Sequence, residues 1–399
     1  MSFYILPSIN INIAPNNLKL RIQNKECNKN IPIFLNQSTQ FYLNKIKGKI
    51  NKHISHWDSI KKYTNSYEFV HTVIPDIKYS ISKYKPISRA FFKLVEIYNT
   101  YNLLKNKPSI KSFHLAEGPG GFVEATYYLR NNKDDLYYGM TLIDENNNHI
   151  PGWDKFKLNM NQFDNIIIER GADGTGDLYH YKNLLYCKQH YGNSMDIITG
   201  DGGFDFSVDF NNQENNAFRL IFTQVAYALT MQKYNGSFVL KIFDIFLKST
   251  NDIIFLLSCF YEEIIIYKPH TSRNANSEKY IICKGFKKKN TNHISNKLIN
   301  ILKILENINF NNKYIYSIID LDIPHYCINL MQEINVIFCQ KQIDNINHTI
   351  KLITNKDKNE KIKLLKANNI QKCINWCKKN KIEYNKYNKI PNIFLKSEQ

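Results

Sequence analysis

Four charged side chains stand where an α/β protein usually holds its reactive groups. Asp201 ends the apolar run DIITGD, and Lys241 lies late in the apolar run GSFVLKIF. Lys93 interrupts the apolar face of a helical segment, and Glu278 lies directly before the run KYIICKGF. Open α/β sheets bind their ligands at the carboxyl ends of the strands. Two amines and two carboxylates at one such edge can hold, orient or transfer a proton.

Each of these residues also has an ordinary structural explanation. An aspartate at a strand end often only forms a turn, and a lysine in an apolar strand can extend its amine to solvent. Taken singly, residue type and position therefore leave both interpretations open. A functional interpretation gains weight only from the four residues taken together.

The stretch FHLAEGPGGFVEATYYLR, residues 113–130, joins an apolar strand to a helix through a glycine-rich turn. Gly118, Gly120 and Gly121 can adopt dihedrals closed to other residues, and they have no Cβ to keep a ligand away. Pro119 stiffens the loop. A glycine loop that leads into a helix N-terminus is a common site for nucleotide-like ligands, although tight turns need glycine for packing as well.

Apolar, β-rich runs alternate with helical segments between residues 112 and 286. Strands are predicted over 112–116, 136–143, 165–169, 196–201, 236–243, 262–269 and 279–286. Helices are predicted over 88–104, 121–130, 217–234 and 249–260. This alternation favours a largely parallel sheet with helices on both faces. The last two strands are separated by only HTSRNANSE, too short for a crossover helix, so they are predicted to pair antiparallel.

The formal net charge of +18 is concentrated in the two ends of the chain. Residues 1–85 hold 13 basic against 4 acidic residues, and residues 287–399 hold 20 against 9. Residues 86–286, with 20 against 22, are close to neutral. A basic excess favours a polyanionic partner such as RNA or DNA through counterion release. A compositional bias toward Asn, Lys and Ile, which fits an AT-rich genome, explains many lysines but not the shortage of acids.

The charge distribution and the α/β pattern together predict three segments. They are a basic extension over 1–85, an α/β domain over 86–290 and a lysine-rich, partly helical region over 291–399. Apolar periodicity at 293–308 and 360–380 predicts helices in the last segment, so we expect it to be folded.

Several classes of protein are disfavoured by the sequence. No run of about 18 apolar residues predicts a membrane span, and the N-terminus lacks the pattern of a signal peptide. The eight cysteines are scattered, and their single close pair, Cys373 and Cys377, does not complete a zinc site. We therefore expect an intracellular protein with reduced thiols and no metal.

Together these motifs resemble one family. The ordered set Lys93, Asp201, Lys241 and Glu278 is similar to the K-D-K-E tetrad of the FtsJ (RrmJ-type) RNA 2′-O-methyltransferases. The surrounding sequences SRAFFKL, GDGGF, FVLKIFDIF and SRNANSEKYIICKG agree with it, and GPGGF resembles the family's cofactor loop. DGTGDL, GDGGF and SRNANSE most resemble the cap-specific mRNA enzymes of eukaryotes and large DNA viruses. The resemblance covers about half of the chain, residues 85–290.

The resemblance implies a Rossmann-like α/β fold, in which a seven-stranded sheet has helices on both faces and one antiparallel strand near its end. It implies an enzyme that transfers a methyl group from S-adenosylmethionine to a ribose 2′-hydroxyl of RNA. The expected substrate is the first transcribed nucleotide of capped mRNA, which gives cap 1. The alternatives are an FtsJ-like enzyme for rRNA or tRNA and a non-catalytic RNA-binding subunit with the same fold.

The resemblance also assigns roles to residues. Lys241 would act on the hydroxyl, as its base or as an ammonium that orients it, with Lys93, Asp201 and Glu278 as the other catalytic residues. The residues expected to contact the cofactor are Gly118, Pro119, Gly120, Gly121, Phe122, Thr141, Asp177 and Asp201. One departure concerns the ribose of the cofactor: many related enzymes end the second strand with an acid, whereas here the first acid is Asp144.

Partners and location follow from the same resemblance. Expected partners are RNA, above all 5′-capped mRNA, and other capping or transcription factors. The expected location is cytoplasmic or virion-associated for a viral protein, and nuclear or cytoplasmic otherwise.

Overall fold

A computed structural model describes residues 3–6, 19–26, 31–144, 150, 152–153, 163–203, 212–355 and 358–385. The chain forms two compact units. The first contains Met1–Lys52 and Ile87–Ile346, and the second contains His53–Pro86 and Asn347–Gln399. Both units therefore combine segments that are far apart in sequence. The division into three segments at 85 and 290 stays a prediction.

Ten strands lie in the described part of the chain. They are β1 (Phe3–Leu6), β2 (Leu20–Glu26), β3 (Lys111–Leu115), β4 (Leu136–Met140), β5 (Ile166–Glu169), β6 (Met195–Gly200), β7 (Gln232–Ile242), β8 (Tyr261–Tyr267), β9 (Lys279–Phe286) and β10 (Lys313–Ile319). The large sheet has the order β1-β8-β9-β7-β6-β3-β4-β5, and β2 pairs with β10 in a separate two-stranded sheet.

The seven predicted strands are β3 to β9, and all of them are present. Strands β7, β6, β3, β4 and β5 are parallel, whereas β9 runs antiparallel to both β7 and β8. The predicted antiparallel pairing of the last two strands is confirmed. The N-terminal β1, which was not predicted, adds an eighth strand antiparallel to β8. The predicted strand 136–143 ends at Met140, because the pairing of β4 with β3 and β5 ends at that residue.

Ten α-helices accompany these strands in the described residues. They are α1 (Gln37–Gly48), α2 (Ile54–Thr64), α3 (Ala90–Tyr101), α4 (Gly121–Arg130), α5 (Tyr181–Tyr191), α6 (Gln213–Met231), α7 (Lys248–Phe260), α8 (Asn292–Glu306), α9 (His325–Thr354) and α10 (Lys358–Lys379). Helices α3, α4, α6, α7, α8 and α10 correspond to the predicted ones, but residues 232–234, predicted as the end of a helix, begin β7 instead. Helix α3 stops three residues earlier than predicted, where Asn102 adopts a left-handed conformation. Helices α1, α2, α5 and α9 were not predicted. The sequence of α5, YKNLLYCKQHY, offers only a narrow buried face.

Helices cover both faces of the large sheet. Along β9, Ile281 and Cys283 point into an apolar core that they share with α6, α7 and α8. Tyr280, which directly precedes Ile281 on β9, points to the other face. Its ring centroid lies 6.2 Å from that of Phe122 in α4. This alternation follows from the two-residue period of a strand. The observed architecture is the expected Rossmann-like α/β fold.

The C-terminal part of the first unit belongs to the same core. Helix α8 buries Leu298, Ile301, Leu302 and Leu305 in it, and β10 adds Ile318. Burial of one such side chain contributes about 1.5–3 kcal/mol. Removal of the chain after residue 287 would therefore expose an apolar face of the core. Within the described part of the lysine-rich C-terminal region, the two helices that its periodicity predicted are present.

The second unit has its own small core. Helix α2 buries Trp57 and Ile60, and α10 buries Cys373, Trp376 and Cys377. Both α10 cysteines are free, as are the other five among the described residues; Cys27 lies outside them. No helix in the described ranges is long and apolar enough for a membrane span.

Candidate active site

Strand register places Asp201 and Lys241 side by side. The parallel pair β6–β7 aligns Gly200 with Leu240, so the next residue of each strand lies at the same edge of the sheet. Lys241 Nζ lies 3.3 Å from Asp201 Oδ1 and also donates a hydrogen bond to the backbone oxygen of Asp201. The Tyr280 hydroxyl donates to Asp201 Oδ1 at 2.8 Å. One carboxylate thus holds both the lysine amine and the tyrosine hydroxyl.

The second predicted pair is formed between α3 and the start of β9. Lys93 Nζ donates to Glu278 Oε2 at 2.8 Å, and the two side chains are 7% and 11% exposed. The Ser272 hydroxyl donates to the other oxygen, Glu278 Oε1, at 2.7 Å. Both oxygens of this buried carboxylate are therefore engaged.

The two pairs form one electrostatic cluster. Burial lowers the pKa of Lys93 below its ordinary value; the charges of Glu278 and Asp201 oppose that effect, whereas those of Arg89 and Lys241 add to it. Burial would raise the pKa of Glu278, but Lys93, Lys241 and Arg89 outweigh it and hold that pKa below its usual range. Glu278 is therefore a carboxylate at neutral pH. Arg89 adds a third cation to the cluster, one helical turn before Lys93.

The glycine loop lies against the same edge of the sheet. Gly120 has a φ of 111°, which favours glycine, and α4 begins at the next residue. A Cβ on Gly121 would come within 2.1 Å of Ser88 Oγ, just before α3. A Cβ on Gly118 would lie 3.1 Å from Thr141 Oγ1 and 2.7 Å from the backbone oxygen of Gly152. The glycines therefore serve close packing as well as leaving backbone accessible.

Glu117, inside the glycine loop, was missed by sequence reasoning. Its side chain is buried and accepts hydrogen bonds from the backbone N–H groups of Phe122 and of Val123, the latter at 3.1 Å. Burial raises its pKa well above the ordinary value, and the charge of Asp201 adds to that rise. The acid in AEGPGG was visible, but its orientation toward the first turn of α4 was not.

Two further predicted cofactor residues, Thr141 and Asp177, lie at the same edge of the sheet. Thr141 follows β4, and a Cβ on Gly176 would come within 2.0 Å of its backbone oxygen. The backbone N–H of Ile143 donates to the oxygen of Thr175 at 2.8 Å. The DGTGDL segment therefore packs along the end of β4, close to Thr141.

Asp177 is the fifth residue of that segment, and its carboxylate is half-buried. Its Oδ1 accepts a hydrogen bond from the N–H of Tyr179 at 2.8 Å, and its Oδ2 lies 3.7 Å from His180 Nε2. Asp173 steadies the turn by accepting hydrogen bonds from the N–H and hydroxyl of Thr175 at 3.0 and 2.7 Å. The structure thus brings the tetrad, the glycine loop and the Thr141–Asp177 region to one edge. Phe204 of GDGGF lies outside the described residues.

No group of three or more His, Cys, Asp or Glu side chains suited to a metal ion is found in the part of the chain that the structure describes. The cluster consists of two lysine amines, one guanidinium, two carboxylates and one phenol. These groups can orient and deprotonate a hydroxyl, and their three cations against two carboxylates suit an anionic substrate.

Comparison with known proteins agrees with this arrangement. Residues 86–286 match the family model described as FtsJ-like methyltransferase. The Drosophila melanogaster cap-specific mRNA (nucleoside-2′-O-)-methyltransferase 2 is 29% identical over 271 residues, covering 63% of this chain and 37% of that protein. The Mus musculus cap-specific mRNA (nucleoside-2′-O-)-methyltransferase 1 is 34% identical over 175 residues, covering 43% of this chain and 20% of that protein.

Among solved structures, the chain is similar to the crystal structure of a ribosomal RNA methyltransferase from Plasmodium falciparum. That similarity has a TM-score of 0.36 and 20% identity, and it covers 50% of this chain and 97% of the other. The chain spans less than half the length of the curated relatives named above. Since the matching family model covers residues 86–286, half of the sequence, this protein belongs to the FtsJ-like methyltransferase family.

Proposed function

We propose that this protein transfers a methyl group from S-adenosylmethionine to a ribose 2′-hydroxyl of RNA. The proposed substrate is the first transcribed nucleotide of 5′-capped mRNA, and the product is cap 1. The observation that carries the proposal is the paired arrangement of Lys93 with Glu278 and Lys241 with Asp201, beside the glycine loop. The printed names of the curated relatives support the capped substrate.

The glycine loop at this edge of the sheet, which leads into the N-terminus of α4, supports S-adenosylmethionine as the cofactor. The backbone of residues 118–122 would hold its methionine part, Thr141 its ribose, and the Asp177 carboxylate the amino group of its adenine. Asp201 would lie near its reacting end. When bound, this cofactor supplies an electrophilic methyl group on a sulfonium. The remaining chemistry belongs to the side chains of the chain.

The 2′-hydroxyl is a weak nucleophile until its proton is being removed, so the protein must orient and deprotonate it. Lys241 is the proposed group for this step. As an amine it accepts the proton; as an ammonium it orients the oxygen and stabilises the developing negative charge. Asp201 fixes the amine in place, because its carboxylate pairs with Lys241 and its backbone oxygen accepts a hydrogen bond from the same amine. The excess of cations favours a ribose flanked by phosphates.

The cofactor assignment is tested by Asp177→Ala. We expect the Kd for S-adenosylhomocysteine, measured by isothermal titration calorimetry, to rise at least about tenfold, a loss of about 1.4 kcal/mol. Asp134→Ala, which removes an exposed carboxylate before β4, is the matched control and should leave the Kd unchanged. Equal affinities in the two variants would remove Asp177 from the cofactor site.

The substrate assignment is tested by tritiated-methyl transfer onto matched capped transcripts, uncapped transcripts and ribosomal RNA fragments. We expect kcat/KM for capped RNA to exceed that for uncapped RNA at least about tenfold, because a site built for the cap leaves polar groups unpaired without it. Equal rates would favour the FtsJ-like rRNA or tRNA alternative. Binding of RNA without any transfer would favour the non-catalytic subunit. Association with other capping or transcription factors and the cellular location stay predictions.

A further inference from the structure

Helix α3 carries a second buried charge, Glu96, on the turn after Lys93. Its side chain is almost inaccessible to solvent, with 2% exposure of the residue. Oε1 accepts hydrogen bonds from the backbone N–H of His270 at 2.8 Å, from its Nδ1 at 2.7 Å and from the Tyr267 hydroxyl. Oε2 accepts from the N–H and hydroxyl of Thr271 at 3.3 and 3.2 Å. One carboxylate therefore gathers five donors from residues 267–271.

The segment held by Glu96 is the one that leads to Glu278. It leaves β8 at Tyr267 and enters β9 at Lys279. Within it, Lys268 Nζ donates to the backbone oxygen of Glu278 and to that of Asn276, each at 2.7 Å. The Ser272 hydroxyl donates to the Glu278 carboxylate. The beginning of the segment is therefore tied directly to its end, where the acid of the tetrad lies.

Helix α3 consequently contacts this segment at two points. Lys93 binds Glu278 at the end of the segment, and Glu96 binds His270 and Thr271 at its beginning. The two helix residues are one turn apart, so both contacts depend on a single placement of the segment against α3. Hydrogen bonds to a charged group are stronger than those between neutral groups, so five donors on one buried carboxylate define that placement strongly.

The protonation state of Glu96 agrees with this role. Burial would raise its pKa, but the hydrogen bonds and charge of His270, together with the Tyr267 hydroxyl, outweigh burial and hold that pKa below the ordinary value. The side chain is a carboxylate at neutral pH and can accept from all five donors. A glutamine of the same shape would present a donor NH₂ where Glu96 has an acceptor oxygen.

We infer that Glu96 is a positioning residue for the catalytic cluster: by fixing His270 and Thr271 on α3, it sets the position of Glu278 and, through Glu278, that of the Lys93 amine. This inference rests on the proposed 2′-O-methyltransferase function. It predicts that loss of the Glu96 carboxylate affects turnover through Glu278, and that it leaves the glycine loop and cofactor binding intact.

The test is a double-mutant cycle with Glu96→Gln and Glu278→Gln. We expect E96Q alone to lower kcat on capped RNA about 10- to 100-fold, since a displacement near 1 Å can cost that much. The Kd for S-adenosylhomocysteine should change less than about twofold. In the E278Q background, E96Q should lower kcat less than about twofold further, because the residue it positions is already altered.

Asp135→Asn is the control for a purely structural carboxylate. Asp135 is fully buried before β4 and bonds to Arg130 at 2.6 Å, away from the tetrad. D135N should lower the melting temperature while leaving kcat per folded molecule unchanged. If E96Q behaves in the same way, or if it lowers kcat equally with and without E278Q, the inference is wrong.

Two further measurements apply if E96Q does not fold or if the wild type shows no methylation. If E96Q does not fold, Thr271→Val removes one of the five hydrogen bonds at nearly constant shape, and its smaller loss of kcat should likewise vanish in E278Q.

If the wild type methylates none of the RNAs, the proposed function fails. The same cycle measured in free energies of unfolding then tests the coupling by itself: additive effects of E96Q and E278Q would overturn it, and non-additive effects would support it.

Discussion

Lys241→Met should lower kcat for 2′-O-methylation about 10³-fold or more, while the Kd for S-adenosylhomocysteine stays within about twofold. The amine is the one proposed to act on the attacking oxygen, and methionine keeps most of the apolar stem without any group that can take or donate a proton. Asp201 would retain its hydrogen bond from Tyr280, so the edge of the sheet should keep its shape. The loss therefore belongs to the chemical step and not to binding of the cofactor.

The measurement is multiple-turnover methyl transfer with saturating cofactor and capped RNA, which gives kcat. Lys284→Met is the matched control, because Lys284 lies on β9 and pairs with Glu263 at 2.8 Å in an ion pair whose side chains are 36% and 34% exposed. K284M should retain wild-type turnover. A K241M enzyme that keeps a substantial fraction of wild-type kcat would exclude Lys241 as the group that activates the hydroxyl.

Lys93→Met should lower the free energy of unfolding more than any other substitution proposed for the catalytic cluster. It should also abolish most turnover. It leaves Glu278 as a buried carboxylate without its cation, and removal of one partner of a buried pair costs about 3–5 kcal/mol in the free energy of unfolding. The double variant K93M/E278Q removes both charges and should recover most of that stability. It should not recover turnover, because the amine and carboxylate of the cluster are both absent.

The pH dependence of this deficit follows from Glu278. In the wild type its pKa lies below the ordinary value, so its contribution to stability is present above about pH 4.5 and is lost as the pH falls through the folded-state pKa. In K93M the main attractive charge is gone and burial raises that pKa. The deficit of K93M should therefore be largest near pH 8 and shrink toward pH 5, where the carboxylate takes up a proton.

Urea unfolding at pH 8 and pH 5 measures both effects. K284M again provides the reference, since a partly exposed ion pair at the protein surface contributes about 0–1 kcal/mol. A K93M deficit of that small size, or one that grows toward pH 5, would show that the Lys93–Glu278 pair does not stabilise the folded protein. Methylation by K93M at the wild-type rate would remove Lys93 from the catalytic cluster.

Much of the fold follows from local patterns in the chain. The seven strands β3 to β9 are short apolar runs bounded by polar residues, and α4, α7 and α8 have clear apolar faces, so hydrophobic periodicity suffices to locate them. Several elements escaped prediction, among them β1, which is four residues long, α5, which is mostly polar, and the 30-residue helix α9. The grouping of residues 53–86 with 347–399 in one unit also has no local signal.

The candidate site likewise has features that the sequence predicts and features that only the structure shows. The positions of Asp201, Lys241 and Glu278 at strand ends are visible in the sequence, because apolar runs end at charged residues. The residues with which they pair are not visible in the sequence. Lys93 and Glu278 are 185 residues apart, and Glu96 and His270 are 174 apart, so their contacts depend on where α3 lies against the sheet.

The sequence alone therefore determined the inventory of chemical groups, the order of the strands along the chain and the edge where those groups collect. Only the tertiary structure decided that Lys93 pairs with Glu278 and Lys241 with Asp201, that Glu117 turns toward the start of α4, and that Glu96 holds the segment before Glu278. The physical reason is that periodicity reports which face of an element is buried, whereas a hydrogen bond requires two atoms to lie within about 3 Å of each other. That distance is set by strand register and helix packing across the whole first unit.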